Sequence, residues 1–138
     1  MSKRPRIKIY VQDFRTTNYY LTCGSYKSLL MNLSTIENIF NVTTEKIPDE
    51  IFDEIISGEH FRLERIISDG QVSPAGFWYN QDQNEFVMLL SGAAKLIVEG
   101  GLTYNLKPGD YINLPAHKKH RVEWTDPDRK TIWLALHY

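Results

Sequence analysis

The sequence predicts a small all-β domain, either an antiparallel β-barrel or a double-sheet jelly roll, preceded by one or two short helices. After Gly58 the apolar residues recur with a period of two, which is typical of strands that bury one face. These strands are short, and turn residues separate them at regular intervals, as in small barrels and jelly rolls. A chain of 138 residues is expected to form one domain with a core that needs no disulfides.

The first 30 residues differ from the rest of the chain. Ile7, Ile9 and Val11 alternate with polar residues, which suits a short edge strand, but no clear period follows them. We therefore expect residues 1–30 to be an N-terminal extension or arm, outside the native domain or loosely attached to it. The domain itself is expected at residues 31–138.

Two short helices are predicted next. Residues 34–37 (STIE) have capping-box spacing, which predicts a helix through Phe40. Pro48 suits the first turn of a second helix, and Gly58 is a plausible end for it. Between them lies one apolar stripe at helical spacing, formed by Ile51, Phe52, Ile55 and Ile56.

The strands follow in the second half of the chain. Their sequences are HFRLERII, EFVMLL, AKLIVE, LTYNL, YINLP, HRVEW and TIWLALHY. Turn residues such as Ser68-Asp69-Gly70, Gly100-Gly101 and residues 107–110 (KPGD) separate them. Their outward faces carry more apolar surface than one small barrel needs, which predicts a homodimer. The outward residues concerned are Phe86, Met88, Leu90, Leu134 and Leu136.

Composition excludes several classes of protein. The formal net charge of -1 gives no general attraction to nucleic acid or to an anionic membrane. The single cysteine, Cys23, rules out an internal disulfide and suits a reducing compartment. Neither a signal peptide nor an apolar run of membrane-spanning length is evident. We expect a cytoplasmic protein whose partner is a small molecule.

Two motifs resemble those of the cupin superfamily. Glu85 is followed by six residues and then Gly92, as in the first cupin motif. Gly109, Pro115 and His120 stand at the spacings of the second motif. The resemblance covers residues 33–138 and is closest to small, single-domain, RmlC-like bacterial cupins of undefined activity. It implies a double-stranded β-helix with a pocket at the barrel mouth.

The same resemblance implies the site residues. Cupin metal centres commonly use a His-x-His pair and a Glu from the first motif and a His from the second. Here the paired positions fall at Trp78 and Asn80, or at Tyr79 and Gln81 if a shorter gap applies. Of the usual ligands of a divalent ion, Zn, Mn, Ni or Fe, the resemblance thus leaves Glu85 and His120. His117 stands at the Gly position of the second motif; three residues from His120 across a turn, it could approach the same ion as a third ligand or face solvent.

Physical reasoning adds roles for these residues. If Glu85 points inward, its charge needs a partner, because an isolated buried carboxylate is costly. Facing His120, it forms either a general acid–base pair or an incomplete metal site. His120 is in phase with Val122 and Trp124 on the predicted inner face. The expected pocket-binding residues are Trp78, Tyr79, Asn80, Gln81 and Trp124.

Other polar residues are expected at the surface. His60 and His137 lie at strand ends, and Arg62 and Arg65 are expected mainly on a solvated face. Three functions remain open: an enzyme acting on a small polar metabolite through Glu85 and His120, a non-catalytic module that binds or senses a small molecule without metal, and a barrel whose interior is simply packed.

Overall fold

The structure, a computed structural model, describes residues 36–138. These residues form eight strands. They are β1 (Ile51–Ser57), β2 (Arg62–Ser68), β3 (Glu85–Ser91), β4 (Ala94–Val98), β5 (Leu102–Leu106), β6 (Tyr111–Leu114), β7 (His120–Thr125) and β8 (Thr131–His137). The all-β prediction is confirmed. The predictions for the strand at residues 7–11, for Cys23 and for the boundary at residue 31 fall outside the described residues.

The strands pair into two antiparallel sheets. One has five strands in the order β1-β2-β8-β3-β6, and the other has three in the order β5-β4-β7. From β3 onward the chain passes back and forth between the sheets. This exchange, with β8 inserted between β2 and β3, produces the double-sheet architecture that the sequence predicts.

The core lies between the inner faces of the two sheets. In β3 and β4 alternate residues are buried, which confirms the period of two. Leu89 is fully buried, and burying a leucine side chain stabilises the fold by about 2 kcal/mol. The cluster comprises Val87, Leu89, Ala94, Leu96, Leu106, Trp133 and Ala135.

The predicted second helix is wrong, because residues 51–57 form the edge strand β1. Its ladder with β2 shifts register between Glu54 and Ile56, which marks a β-bulge. The extra residue places Ile51 and Ile56 on the same face although they are five positions apart. A bulged strand therefore reproduces the spacing of a helical stripe. The β-branched isoleucines favour the strand.

The described part of the predicted first helix is a turn. The Asn38 side chain accepts a hydrogen bond from the Phe40 amide at 2.8 Å, and its carbonyl accepts one from Asn41 at 2.9 Å. A side chain that takes up backbone donors in this way competes with helix formation. The start of the predicted helix, at Ser34 and Thr35, lies before the described residues.

Asp69, just after β2, fixes the segment that precedes β1. Its carboxylate accepts hydrogen bonds from Lys130 Nζ at 2.7 Å, Lys46 Nζ at 3.1 Å and the Ile47 amide at 3.1 Å. These bonds, that to Lys130 above all, lower the pKa of Asp69 to about 2. The carboxylate therefore ties residues 46–47 to the barrel.

No helix in residues 36–138 is long and apolar enough to cross a membrane.

Candidate active site

A cavity of about 230 Å³ opens between the two sheets. Its walls combine apolar core residues with a group of acidic and basic side chains. The apolar lining residues are Phe52, Ile66, Val87, Leu96, Leu114, Val122 and Trp133. The polar ones are Glu50, Arg62, Glu64, Tyr79, Gln81, Glu85, His120 and His137. A cavity of this kind, apolar with a few converging polar groups, is typical of small-molecule sites.

One row of paired residues builds the polar end of the cavity. Arg62 on β2 pairs with His137 on β8, His137 pairs with Glu85 on β3, and Glu85 pairs with Leu114 on β6. Directly opposed residues in antiparallel strands point to the same face. The five-stranded sheet therefore presents a cation, an imidazole and a carboxylate side by side.

Glu85 and His120 meet across the two sheets. His120 Nε2 lies 3.3 Å from Glu85 Oε2, and both side chains are 8% exposed. Gln81 Nε2 donates a hydrogen bond to the same oxygen at 2.6 Å. The two residues singled out from the motifs thus form a buried pair.

The surroundings of the ring favour a proton on Nδ1 of His120. Nδ1 lies 3.2 Å from the Lys118 carbonyl, which can only accept a hydrogen bond. The other ring nitrogen, Nε2, is then the one that faces the Glu85 carboxylate, in a close contact that is not a hydrogen bond.

Tyr79 and Gln81 occupy the positions of the usual His-x-His pair. The Tyr79 amide donates to the His120 carbonyl at 2.8 Å, and the His120 amide donates to the Tyr79 carbonyl at 3.2 Å. The two rings stack with centroids 5.3 Å apart. Because the segment is extended at this bridge, Tyr79 and Gln81 face inward together, which corresponds to the shorter of the two gaps.

Trp78 and Asn80 alternate with this inward pair and lie outside the cavity. Trp78 is 37% exposed and borders a separate surface depression with Ile97 and Lys119. Asn80 is exposed and does not line the cavity. Both were predicted to bind a ligand from the longer spacing between the His-x-His positions and Glu85. In the structure the shorter spacing applies, which puts Tyr79 and Gln81 at those positions.

Trp124 also lies outside the cavity, and it is 42% exposed. The sequence placed it in phase with His120, but the β4–β7 ladder shifts register: Leu96 pairs with Val122, whereas Lys95 pairs with Trp124. The bulge inserts one residue, so the alternation of faces reverses after Val122. Trp124 therefore points outward beside Lys95.

His117 does not join Glu85 and His120. It lies in the turn before β7, with a positive φ of 64°, and its side chain is 68% exposed. Its ring nitrogen is 3.7 Å from the exposed carboxylate of Asp82. Its amide donates to the Gln81 carbonyl at 2.7 Å, so the backbone of this turn supports the site while the imidazole faces solvent.

The sequence interpretation missed Glu64, placed His137 at the surface and favoured a solvated face for Arg62, but all three line the cavity. His137 Nε2 lies 3.2 Å from Glu64 Oε2, and both side chains are largely buried. Arg62 Nε is 2.8 Å from Glu64 Oε1, and because that N–H is not directed at the oxygen the contact is an ion pair rather than a hydrogen bond. The signal was present in β8, where His137 is in phase with the core residues Trp133 and Ala135.

A second polar group lies beyond the core tryptophan. Trp133 Nε1 donates to Ser68 Oγ at 3.1 Å, and that hydroxyl donates to Glu50 Oε1 at 2.5 Å. Burial raises the pKa of the Tyr79 hydroxyl, and the negative charges of Glu50 and Glu85 raise it further. Both carboxylates therefore lie close enough to Tyr79 to act on its hydroxyl group.

The described residues do not fit a metal centre with three protein ligands. Within residues 36–138 no three His, Cys, Asp or Glu side chains are grouped closely enough to hold an ion. Of the three predicted ligands, Glu85 and His120 are in contact, whereas His117 faces solvent. Gln81 also occupies one lone pair of Glu85 Oε2 with an N–H donor.

Comparison with known proteins agrees with this fold. The family model described as "Cupin domain" matches residues 66–137, slightly more than half of the chain. The crystal structure of a "putative mannose-6-phosphate isomerase" from Ralstonia eutropha JMP134 is 44% identical, with a TM-score of 0.72. The match covers 75% of this chain and 97% of that one. None of the curated proteins compared with this sequence matches it.

More distant structures share the fold. An RmlC-like cupin with a double-stranded β-helix fold from Methanocaldococcus jannaschii is 15% identical, with a TM-score of 0.55 over 75% of this chain and 92% of that one. The crystal structure of FeII HppE in complex with substrate is 12% identical, with a TM-score of 0.55 over 64% of this chain and 53% of that one. With two motifs, the sheet order and the family match in agreement, the chain belongs to the cupin domain family.

Proposed function

We propose that this protein binds a small molecule in the cavity and that Glu85 and His120 transfer a proton on it. The observation that carries the proposal is the buried contact of 3.3 Å between their side chains, which brings an imidazole nitrogen within reach of a carboxylate oxygen. A positioned acid–base pair typically accelerates a reaction by about 10²–10⁴-fold. Both contacts that the described residues make with the Glu85 carboxylate fall on Oε2, which leaves Oε1 for a ligand.

The reaction class that suits this pair is proton transfer next to a carbonyl group. One group removes a proton from the carbon beside the carbonyl, which gives an enediol. A proton returned to the former carbonyl carbon, with a hydroxyl proton passing from one oxygen to the other, interconverts an aldose and a ketose. A proton returned to the same carbon from the opposite face inverts that centre, and neither route needs an oxidant or reductant. The relative that is 44% identical bears the name of an isomerase, which is the same class.

Exchange of carbon-bound hydrogen tests the proposal. Mannose, mannosamine and mannose 6-phosphate are incubated with the protein in D₂O, and loss of the C2 proton signal is followed by NMR. We expect catalysed exchange on at least one of them, with Glu85→Gln and His120→Gln each slower by about 100-fold or more. The control is Glu99→Gln, whose carboxylate is about half exposed and whose contact is with Lys119, outside the cavity. Exchange at the same rate in all variants would contradict the roles of the pair.

A non-catalytic binding protein is the second candidate. The observation that favours it is the Gln81 hydrogen bond, which holds Glu85 Oε2 at 2.6 Å and fixes the carboxylate as a structural acceptor. Absence of exchange on every probe, with ligand binding intact, would select this candidate. The variant Gln81→Ala also distinguishes the two candidates, because it removes the hydrogen bond to Glu85 Oε2. In an enzyme this should change the rate of proton exchange, whereas in a binding protein it should change only the affinity for the ligand.

A divalent ion as cofactor is a separate hypothesis, and calorimetry with Zn²⁺, Mn²⁺, Ni²⁺ and Fe²⁺ tests it. Because only Glu85 and His120 come together, we expect no tight binding that depends on His120. Metal content lost in His120→Ala and kept in His117→Ala would contradict that expectation. It would make the pair two ligands of a metal-dependent enzyme, with water or substrate completing the coordination.

A further inference from the structure

The charges that line the cavity do not cancel. Three carboxylates, those of Glu50, Glu64 and Glu85, face it together with one guanidinium, that of Arg62. Arg62 is paired with Glu64 at 2.8 Å. With one proton between them, as the proposed function requires, Glu85 and His120 are neutral as a pair. The charge left over is that of Glu50.

Glu50 has no cationic partner among residues 36–138. Its contact is with the Ser68 hydroxyl, which the Trp133 indole holds in place from the other side. None of the ion pairs in the described part of the chain includes Glu50. A half-buried carboxylate without a counter-charge attracts a cation from outside. The aromatic wall of Phe52, Tyr79 and Trp133 suits a cation as well.

His137 adds no free acceptor to the cavity. Its side chain is 6% exposed, and Nε2 lies 3.2 Å from the Glu64 carboxylate. Its Nδ1 has no hydrogen-bond partner among the described residues, but that atom is itself buried, so a ligand in the cavity does not reach it.

We propose that the cavity selects a small organic cation rich in hydrogen-bond donors, with its ammonium group at Glu50, and that it disfavours anions such as sugar phosphates. Two carboxylate groups of the lining offer acceptor oxygens that no described cation holds: the Glu50 carboxylate and Glu85 Oε1. The volume of about 230 Å³ is below the range of typical drug-sized pockets, so the ligand is small. This inference deepens the proposed function by naming the ligand class for the same cavity.

A series of ligands with one apolar chain and different head groups tests the inference. Butylammonium, 1-butanol, butyrate and butyl phosphate are titrated into the protein, and the indole N–H signal of Trp133 is followed by NMR. We expect butylammonium to bind about tenfold or more tightly than 1-butanol, since a charge-assisted hydrogen bond contributes about 1.5–3 kcal/mol. The two anions should bind more weakly than the alcohol.

Glu50→Gln provides the matched variant. It removes the charge and keeps the size, so the preference for butylammonium over 1-butanol should fall to about threefold or less. Glu59→Gln is the control, because the Glu59 side chain is 88% exposed and lies outside the cavity, and it should keep the full preference. The wild-type series alone decides the matter if Glu50→Gln does not fold.

Three results would overturn the inference: equal affinity for all four ligands, tighter binding of butyl phosphate or butyrate, and no binding of butylammonium. Tighter binding of the anions would make Arg62 an anion anchor instead. The failure of this inference is distinguishable from that of the proposed function, because head-group preference is a binding measurement. Proton exchange with the wrong preference would leave Glu85 and His120 in their roles and refute only the ligand class.

Discussion

His120 is held on three sides by groups that act together. Tyr79 stacks on its ring, the Lys118 carbonyl faces Nδ1, and Glu85 faces Nε2. The stack and the carbonyl fix the orientation of the ring, so the nitrogen toward Glu85 is the one that can exchange a proton. A carboxylate and an imidazole with one fixed orientation form a more defined acid–base pair than two mobile side chains.

His137 provides a stability prediction at the same scale. The sequence interpretation placed it at the surface, but it is buried against Glu64. We expect His137→Ala to lower the free energy of unfolding by about 1–3 kcal/mol, because the Glu64 carboxylate loses a donor. Urea denaturation measures this. His60→Ala is the control, with a side chain 87% exposed and an expected change within about 0.5 kcal/mol. Equal stability of both variants would return His137 to a surface role.

At the scale of elements, the sequence predicts the inward and outward faces of regular strands, but not of strands that contain a bulge. The period of two correctly predicts the inward faces of β3 and β4, and so the position of Glu85. A bulge adds one residue without a distinctive sequence signal, and it reverses every face beyond it. Bulges therefore account for both the wrong placement of Trp124 on β7 and the false helix at β1.

Gly92, which follows β3, provides the prediction for this scale. It has a φ of 80°, and a Cβ there would lie 2.7 Å from Thr131 Cα and 2.9 Å from the Lys130 carbonyl oxygen. Gly100 has a φ of 98°, with open space where a Cβ would point. We expect Gly100→Ala to lower the free energy of unfolding by about 1–2 kcal/mol, from backbone strain alone. Gly92→Ala should lower the free energy of unfolding by about 1–3 kcal/mol more than Gly100→Ala, because the new Cβ forces β8 to shift. Chemical denaturation measures the stability of both variants. Equal losses of stability would contradict the prediction, because they would show that β8 shifts at no measurable cost.

At the scale of the molecule, the motifs predict the fold and the contact between Glu85 and His120. Local patterns do not show which strands become neighbours. The insertion of β8 between β2 and β3 brings His137 beside Glu85, and that pairing joins residues far apart in the chain. Arg62 and Glu64 enter the cavity through the same pairing, so the cationic and acidic half of the site was not predictable from periodicity.

Acid stability should depend on Asp69. Its pKa is lowered from 3.8 to about 2, so its ion pairs stabilise the fold fully above the ordinary value and lose their effect as pH falls toward 2. We expect Asp69→Asn to reduce the free energy of unfolding at neutral pH and to flatten its fall between about pH 4 and pH 2. Urea unfolding across that range measures both effects. Asp82→Asn, with a side chain 97% exposed, is the control. An unchanged pH profile in Asp69→Asn would contradict this role.

The homodimer remains a prediction. Phe86, Met88, Leu134 and Leu136 are partly exposed on the outer face of the five-stranded sheet. Arg65, on the same face, donates to the carbonyls of Ile39 and Asn41, so this chain covers part of the face itself. We expect sedimentation to show a dimer at about tens of micromolar, and Met88→Glu to dissociate it. Thr103→Glu, on exposed β5, should not. A strict monomer in the wild type would refute the prediction.

The proposed function requires a proton shared between Glu85 and His120, and nitrogen NMR of ¹⁵N-labelled protein tests this most directly. We predict that at neutral pH His120 Nδ1 carries a proton, and that a second proton lies in the contact between Nε2 and Glu85 Oε2. In Glu85→Gln the second proton should be lost while the one on Nδ1 remains, because the Lys118 carbonyl still accepts it. A neutral ring in the wild type with its single proton on Nε2 and none on Nδ1 would contradict the account.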